Sequence, residues 1–322
     1  MSAKIIGRQF QFGIAKETTR GTVAAPTYWV PFNDLTIDEK QEKVFDAQAY
    51  GIIEDSVAAL TTKKWAEGSI SGNLYDTTFG LILYSLLGTL TSHSTHSGES
   101  IVYDNIFNVQ EGAQHKSLTF AVHDPASGQD YAYPNGVISK LEIKYALKQF
   151  VQYTASLMAQ TGTSESAYTP STTTENRFVP QYLTLDVAGT PIKVKSASIS
   201  IDQNIEAQDV LGSLSPADFL NKEFKVEGQI EAIWQNESDF KTAFMANTAQ
   251  DFKFDLKNTD VTIGSAASPE LILEMPQCYI TELGRPIKVK DLIYQTIKFR
   301  ATYSLSSSYM LKATLTNIVN GY

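Results

Sequence analysis

The sequence predicts a mainly β protein that contains two similar units, each with one α-helix. The first observation is an alternation of apolar and polar residues over long segments, which is typical of half-buried strands. The second is the abundance of aromatic residues, 16 Tyr and 16 Phe, which pack well on a pleated sheet. The third is a strand–helix pattern that occurs twice. The alternating segments are Leu141–Leu147, Val151–Leu157, Phe224–Trp234 and Ile297–Tyr303.

Two segments have the residue spacing of α-helices. In Thr77–Leu87 apolar residues recur every three or four positions, and Gly88 follows as a residue that often ends a helix. In Glu237–Ala246 the apolar residues also share one face, and Asn236 precedes them as the predicted N-cap. Each predicted helix follows a predicted strand.

The strand before each helix carries the same motif, Glu-Gly-x-Ile. It occurs as Glu67–Ile70 and as Glu227–Ile230, with an offset of 228 − 68 = 160 residues. Further upstream, Leu35–Asp38 is similar to Ile199–Asp202, and a polar stretch follows each. The recurrence predicts an internal duplication. The alternative is that a chain rich in strands yields such matches by chance.

The boundary between the two predicted domains lies near residue 170. Residues 161–175 are rich in Gly, Ser, Thr and Pro, which is typical of a linker or an exposed loop. The first domain then spans residues 1–170, with an N-terminal arm, and the second spans residues 171–322, with a C-terminal tail. Residues 89–100 are polar and low in complexity, and we expect a surface loop there.

Composition and charge argue against several classes of function. The 322 residues include 26 basic and 35 acidic side chains, a net charge of −9, which disfavours a general binder of nucleic acid or of anionic membranes. A single cysteine, Cys278, excludes an intramolecular disulfide framework. The first residues lack an apolar secretory segment, and the longest apolar run, Phe79–Leu87, is far shorter than a membrane-spanning helix. We therefore expect a protein that is made in the cytoplasm and is not embedded in a membrane.

No cluster of reactive residues predicts an enzyme. His93 and His96 have a spacing that metal ligands can use, but no cysteine or carboxylate pattern completes the set. Residues 124–130 place oxygen ligands around a glycine, yet they lack the closing glutamate of a calcium-binding loop. The sequence contains no phosphate-binding glycine motif and no nucleophile motif. We therefore expect no catalytic site, no cofactor and no metal site.

The N-terminal segment has an ordered set of glycine, glutamate, threonine and proline positions, namely Gly13, Glu17, Gly21, Thr22 and Pro26. This segment resembles the start of tail tube (major tail) proteins of long-tailed bacteriophages. The resemblance continues through the Glu-Gly-x-Ile strand and its helix, through Val210–Ser213 and to Thr314–Asn317. It implies β-sandwich or barrel-like tube domains, each with one flanking helix, whose strands join those of neighbouring subunits into a ring-shaped β-barrel.

The resemblance also implies a structural role without catalysis. Rings stack into a tube through which the genome passes without specific binding to the protein. Three two-domain chains would supply 3 × 2 = 6 domains per ring, and a hexamer of the whole chain is the alternative. The implied partners are other copies of the chain, the tape-measure protein, and the tail terminator and baseplate proteins. The implied location is the virion tail, after assembly in the host cytoplasm.

Two other classes of function remain open. A receptor-binding or decorative virion protein would also be rich in strands, but it should show ligand-binding loops or fibre-like repeats instead of a duplicated unit. A carbohydrate-binding or hydrolytic β-sandwich would explain the aromatic residues, but the sequence shows no recognisable pair of catalytic carboxylates.

Two polar segments, Glu39–Thr62 and Gln203–Asn221, are the predicted assembly arms. Structureless loops of this length are uncommon in compact domains unless they have a function. Both segments contain apolar residues that a contact between stacked rings would bury. The predicted contact residues are Val44, Phe45, Ile52, Ile53, Val210, Leu211 and Phe219. Residues 2–26 and 312–322 are weaker candidates for the same role.

The polar face of the two Glu-Gly-x-Ile strands is the predicted lining of the tube. Its residues are Glu67, Ser69, Glu227, Gln229 and Glu231. An acidic or neutral lining would let DNA slide, whereas a basic one would bind its phosphates at every ring. The alternative is that this face is exposed to solvent on the outside.

Overall fold

The chain is mainly β, as predicted. The computed structural model describes residues 6–125, 128–233, 240–287, 289 and 292–322. Its helices are α1 (Phe79–Leu87), α2 (Lys241–Ala246) and two 3-10 helices, Gly7–Gln9 and Pro180–Tyr182. Its strands are β1 (Gln11–Lys16), β2 (Tyr28–Val30), β3 (Asp34–Asp46), β4 (Ala58–Asn73), β5 (Gly88–Thr95), β6 (Tyr103–Val109), β7 (Leu118–His123), β8 (Gln129–Ala146), β9 (Gln152–Ala159), β10 (Thr163–Ser166), β11 (Leu183–Val187), β12 (Thr190–Ile192), β13 (Val194–Asp202), β14 (Ile205–Gln208), β15 (Asp218–Asn221), β16 (Lys225–Ile233), β17 (Gln250–Lys257), β18 (Glu270–Gly284), β19 (Tyr294–Ala301) and β20 (Lys312–Asn317).

Eight antiparallel strands form a continuous central sheet in the order β3–β4–β9–β8–β13–β16–β19–β18. β8 and β18 are long, 18 and 15 residues, and each continues into a second layer. The orders there are β2–β1–β7–β8–β10 and β12–β11–β17–β18–β20–β6–β5. The layers pack face to face, since the rings of Phe252 on β17 and Phe299 on β19 are 4.6 Å apart. One large cluster of buried apolar residues spans both halves of the chain.

The two halves of the chain pair their strands in the same order. β3–β4–β9–β8 in the first half matches β13–β16–β19–β18 in the second. A β-bulge shifts the register between Ile138 and Lys140 of β8, and a bulge shifts it at the same place between Ile280 and Glu282 of β18. In the second layer, β1, β2, β7 and β10 have β11, β12, β17 and β20 as counterparts.

The glycine of the repeated motif lets the neighbouring backbone come close. A Cβ atom at Gly68 would lie 1.8 Å from the carbonyl oxygen of Thr36, and one at Gly228 would lie 2.7 Å from that of Ser198. No side chain fits at such distances, because the contacts are with backbone and cannot move aside. The glycine of the motif is therefore a requirement of the fold.

The register of this glycine corrects one alignment made from the sequence. Gly68 lies opposite Ile37, and Gly228 lies opposite Ile199. Ile37 is therefore the structural counterpart of Ile199. The sequence comparison, which aligned Leu35 with Ile199, was wrong by two residues, because both strands alternate and a shift of two preserves the pattern.

Helix α1 is a core helix and not the flanking helix that the resemblance implies, because all nine of its residues are buried. It begins at Phe79, where the Glu175 carboxylate accepts hydrogen bonds of 2.8 and 2.9 Å from the N–H and hydroxyl of Thr78. Burial raises the pKa of Glu175 above its usual range. Gly88 ends the helix in the left-handed conformation, φ 86°, as predicted.

The remaining differences concern short elements. Helix α2 begins at Lys241, later than predicted, and the predicted cap Asn236 lies outside the described residues. Most of the predicted loop 89–100 is strand β5, and residues 163–166 of the predicted linker form β10. Residues 91–95 of β5 and the whole of β10 are polar and almost entirely exposed, so the alternation that marks a strand is missing from them.

Candidate assembly surfaces

The outer part of the β3–β4 hairpin carries exposed apolar side chains. β4 pairs with β9 only from Ala66 onward, so residues 44–64, the long arm, extend beyond the central sheet. The predicted contact residues of this arm are all more than half exposed, and Ile53 is completely exposed. They are Val44, Phe45, Ile52 and Ile53.

The second predicted arm, the short arm, is the β14–β15 hairpin of residues 205–221. Val210 and Leu211 are exposed, as the sequence predicts. The expectation of an exposed Phe219 is wrong, because its side chain is only 1% exposed. The guanidinium of Arg20 holds this end of the arm by donating hydrogen bonds to the Asp218 carboxylate and the Phe219 carbonyl oxygen.

The two arms contact each other. Lys63 Nζ lies 2.8 Å from the Asp209 carboxylate, and the N–H of Lys64 donates a 2.7 Å hydrogen bond to the carbonyl oxygen of Leu214. The short arm therefore lies against the base of the long arm. Of the weaker candidates, β1 and β20 lie inside the sheet, since each runs between two other strands, and residues 2–5 lie outside the described residues.

The five predicted lining residues share one face of the central sheet. They alternate with buried residues along β4 and β16, and the register across β9, β8 and β13 places them on the same side. They are Glu67 and Ser69 of β4, and Glu227, Gln229 and Glu231 of β16. Lys225 Nζ lies 2.8 Å from the Glu227 carboxylate, and Lys195 Nζ lies 3.1 Å from that of Glu231. This polar face is therefore of mixed charge.

Two edges of the central sheet have no partner strand among the described residues, so the sheet is open and not a closed barrel. β3 pairs only with β4. Residues 279–284 of β18 pair only with β19. The counterparts of these edges, β13 and β8, pair with each other in the middle of the sheet. Open edges of this length invite pairing with another chain.

A groove of about 780 Å³ lies beside the open edge of β3. Its apolar walls include Phe12, Trp29, Val30, Leu35, Ile37 and Tyr133. Burial raises the pKa of Tyr133 above its usual value. The groove opens where a further strand would continue the sheet.

A family model described as phage tail tube protein matches residues 7–301 of the chain. The chain belongs to this family. The resemblance seen in the sequence is confirmed, and the match includes both arms, the polar face and both open edges. A tail tube protein is a structural component of the virion tail that assembles with its own copies into a tube. A comparison with curated proteins finds no match.

In the described ranges, no three His, Cys, Asp or Glu side chains converge as a metal site. No helix of the described residues has the length and hydrophobicity to span a membrane. The two open edges and the groove were not predicted from the sequence. They depend on the order of the strands in the sheet, which no local sequence pattern indicates.

Proposed function

We propose that this tail tube protein closes into rings by pairing the open edge of one chain, from Glu282 onward, with β3 of the next, and that the rings stack into a conduit for DNA. The observation that carries the proposal is the joint inside the chain, where β8 of the first half pairs with β13 of the second. β18 and β3 are the counterparts of these two strands. A joint of the same kind between chains would leave no edge open.

The joint inside the chain sets the register expected between chains. Within it, Lys140 lies opposite Asp202. Glu282 is the counterpart of Lys140, because each follows the bulge shared by β8 and β18. Lys40 is the counterpart of Asp202, by the register of the glycine motif. The joint between chains would therefore place Glu282 opposite Lys40, an opposite-charge pair with the signs exchanged.

Three chains per ring agree best with the duplicated pairing. Each chain supplies eight strands of the central sheet, so three chains would build a barrel of 3 × 8 = 24 strands. The matching strand order supports two tube domains, residues 1–170 and 171–322, and hence 3 × 2 = 6 domains per ring. The tape-measure protein and DNA would occupy the lumen without specific binding, and terminator and baseplate proteins would meet the ends.

Electron microscopy of the purified protein tests this function directly. We expect tubes of uniform diameter, with three chains in each ring, at high protein concentration. Chains that stay soluble without rings or tubes would contradict the proposal and favour a receptor-binding or decorative virion protein. Six chains per ring would retain the conduit but overturn the three-chain ring.

The expected pair of Glu282 and Lys40 gives a test of the joint itself. Glu282→Lys or Lys40→Glu alone places like charges opposite each other, which costs up to about 1 kcal/mol per joint. We expect the concentration needed for assembly, measured by sedimentation, to rise about fivefold in each single variant. The double variant should recover most of the loss. Because Glu282 also contacts Lys298 within the chain at 2.6 Å, only this recovery isolates the contact between chains.

The polar face of the central sheet is the proposed lining of the lumen. Glu227→Lys with Glu231→Lys would add cations at every ring, and cations bind the phosphates of DNA. We expect normal tubes but severalfold slower genome delivery, measured as the time between phage adsorption and DNA entry. Glu111→Lys with Asp251→Lys, both exposed on other parts of the surface, is the matched control. Unchanged delivery in the first variant would place this face outside the lumen.

A further inference from the structure

The groove beside β3 has a filled counterpart in the second half of the chain. There, Tyr145 near the end of β8 is 2% exposed and lies against Phe254 of β17, with ring centroids 5.8 Å apart. Tyr145 sits opposite Ala197 of β13 in the joint inside the chain. Leu35 of β3 is the counterpart of Ala197, and it lines the groove. The space that Tyr145 fills beside β13 is therefore empty beside β3.

We propose that Ile287 of a neighbouring copy of the chain fills this groove. The inference deepens the proposed ring assembly and rests on it. Ile287 is the counterpart of Tyr145. Lys140 follows the bulge of β8 and Glu282 follows the bulge of β18, and Tyr145 and Ile287 each lie five residues further along the chain. In the single chain the Ile287 side chain is 70% exposed. Continued register would place it opposite Leu35, as Tyr145 lies opposite Ala197.

The size of the groove walls fits the exchange of tyrosine for isoleucine. Most walls are larger than their counterparts in the second half of the chain, which reduces the space that the entering side chain must fill. Two walls are smaller, Val122 in place of Phe254 and Val30 in place of Ile192. The larger walls are Phe12, Trp29, Leu35 and Tyr133, whose counterparts are Leu185, Pro191, Ala197 and Met275.

A second copy is the occupant that these observations select. The groove follows an open strand edge, and the matching edge inside the chain is covered by a segment of the chain itself. The groove lies beside β3 and Ile287 follows β18, at opposite edges of the central sheet. Ile287 therefore cannot fill the groove of its own chain unless the sheet bends into a closed ring. Side-by-side contact between copies fills the groove of one chain and buries Ile287 of its neighbour. The same contact can repeat until the ring closes.

A pair of single substitutions tests the contribution of Ile287. We expect Ile287→Ala to raise the protein concentration needed for ring formation, measured by sedimentation, about tenfold or more. Val289→Ala is the matched control, because its counterpart Leu147 stays 58% exposed beside the joint inside the chain. It should change that concentration less than twofold. Both side chains are exposed in the single chain, so circular dichroism should show an unchanged fold. Wild-type assembly by Ile287→Ala would overturn the inference.

A disulfide between chains tests the placement. Directly opposite residues have Cβ atoms about 4.5–5.5 Å apart, near enough for a disulfide after small adjustments. Leu35→Cys combined with Ile287→Cys should give, on oxidation of assembled rings, a covalent series that ends at the number of chains per ring. Leu35→Cys with Val289→Cys should not. Cys278 is buried, and burial raises the pKa of its thiol, so it does not compete.

The outcomes separate the two proposals. Wild-type tubes together with absent cross-links from the first pair would overturn the place of Ile287 and leave the ring assembly standing. A wild-type protein that forms no rings or tubes would overturn the ring assembly and the place of Ile287 with it. Cross-links from the first pair alone would support both.

Discussion

Deletion of residues 45–53 is expected to leave a folded chain that no longer forms long tubes. The deleted stretch carries exposed Phe45, Ile52 and Ile53, and burial of each such side chain contributes about 1.5–3 kcal/mol to a contact. Several arms act together at every contact between rings, so the loss should be complete and not gradual. The fold should survive, because β4 pairs with β9 only from Ala66 onward. Electron microscopy and sedimentation should show single rings or free chains.

A variant of unchanged length separates the apolar contact from the shape of the arm. Phe45→Ser with Ile53→Ser removes two exposed apolar side chains, whereas Glu54→Ser with Asp55→Ser removes two exposed charges from the same arm. We expect the first pair to shorten or abolish tubes and the second to leave them normal. Normal tubes from the deletion variant would show that the long arm does not connect rings.

Elements that depend on local pattern were predictable from the sequence. The strand β16 and the glycine that ends α1 were found because alternation and a left-handed glycine are properties of neighbouring residues. Strand β5 was missed because its exposed Ser, Thr and His residues show no alternation. The exposure of Ile53 and Leu211 was predictable for the same local reason, since apolar residues within a polar stretch stand out in the sequence.

Features that depend on distant residues were not predictable. Phe219 is buried where Arg20, 199 residues away, holds its hairpin against the body of the chain. The open edges and the groove depend on which strands are neighbours, and a period of two residues carries no information on strand order. The proposal that Glu282 lies opposite Lys40 of the next chain needed the bulge and the glycine register, both of which are observed only in the folded chain.

The N-terminal motif has a structural explanation that carries the second large prediction. Glu17 is 5% exposed, and its carboxylate accepts four hydrogen bonds of 2.6–3.0 Å. The donors are the N–H groups of Gly21 and Asn135 and the hydroxyls of Ser117 and Thr119. These groups come from β7, β8 and the turn after β1, so one side chain joins three segments beside the groove.

We expect Glu17→Gln to lower the free energy of unfolding by about 2–4 kcal/mol, measured by urea denaturation of the unassembled chain. Each Glu17 oxygen accepts from one backbone N–H and one hydroxyl. The amide that replaces one oxygen is a donor, so the backbone N–H of Gly21 or Asn135 would face another donor and stay unsatisfied, whereas the hydroxyl would have to turn and accept. Glu111→Gln, at an exposed loop position, should change the stability by less than about 0.5 kcal/mol.

A Glu17→Gln variant as stable as the wild-type chain would contradict this account of the motif. The size of the expected loss follows from burial, since water cannot reach Asn135 or Ser117 to replace the missing acceptor. Gly21 adds a geometric reason, because it turns the chain back toward Glu17 at φ +78°, a conformation that favours glycine. Tube formation should fall together with stability, because β1, β7 and β8 supply walls of the groove that we propose meets the next chain.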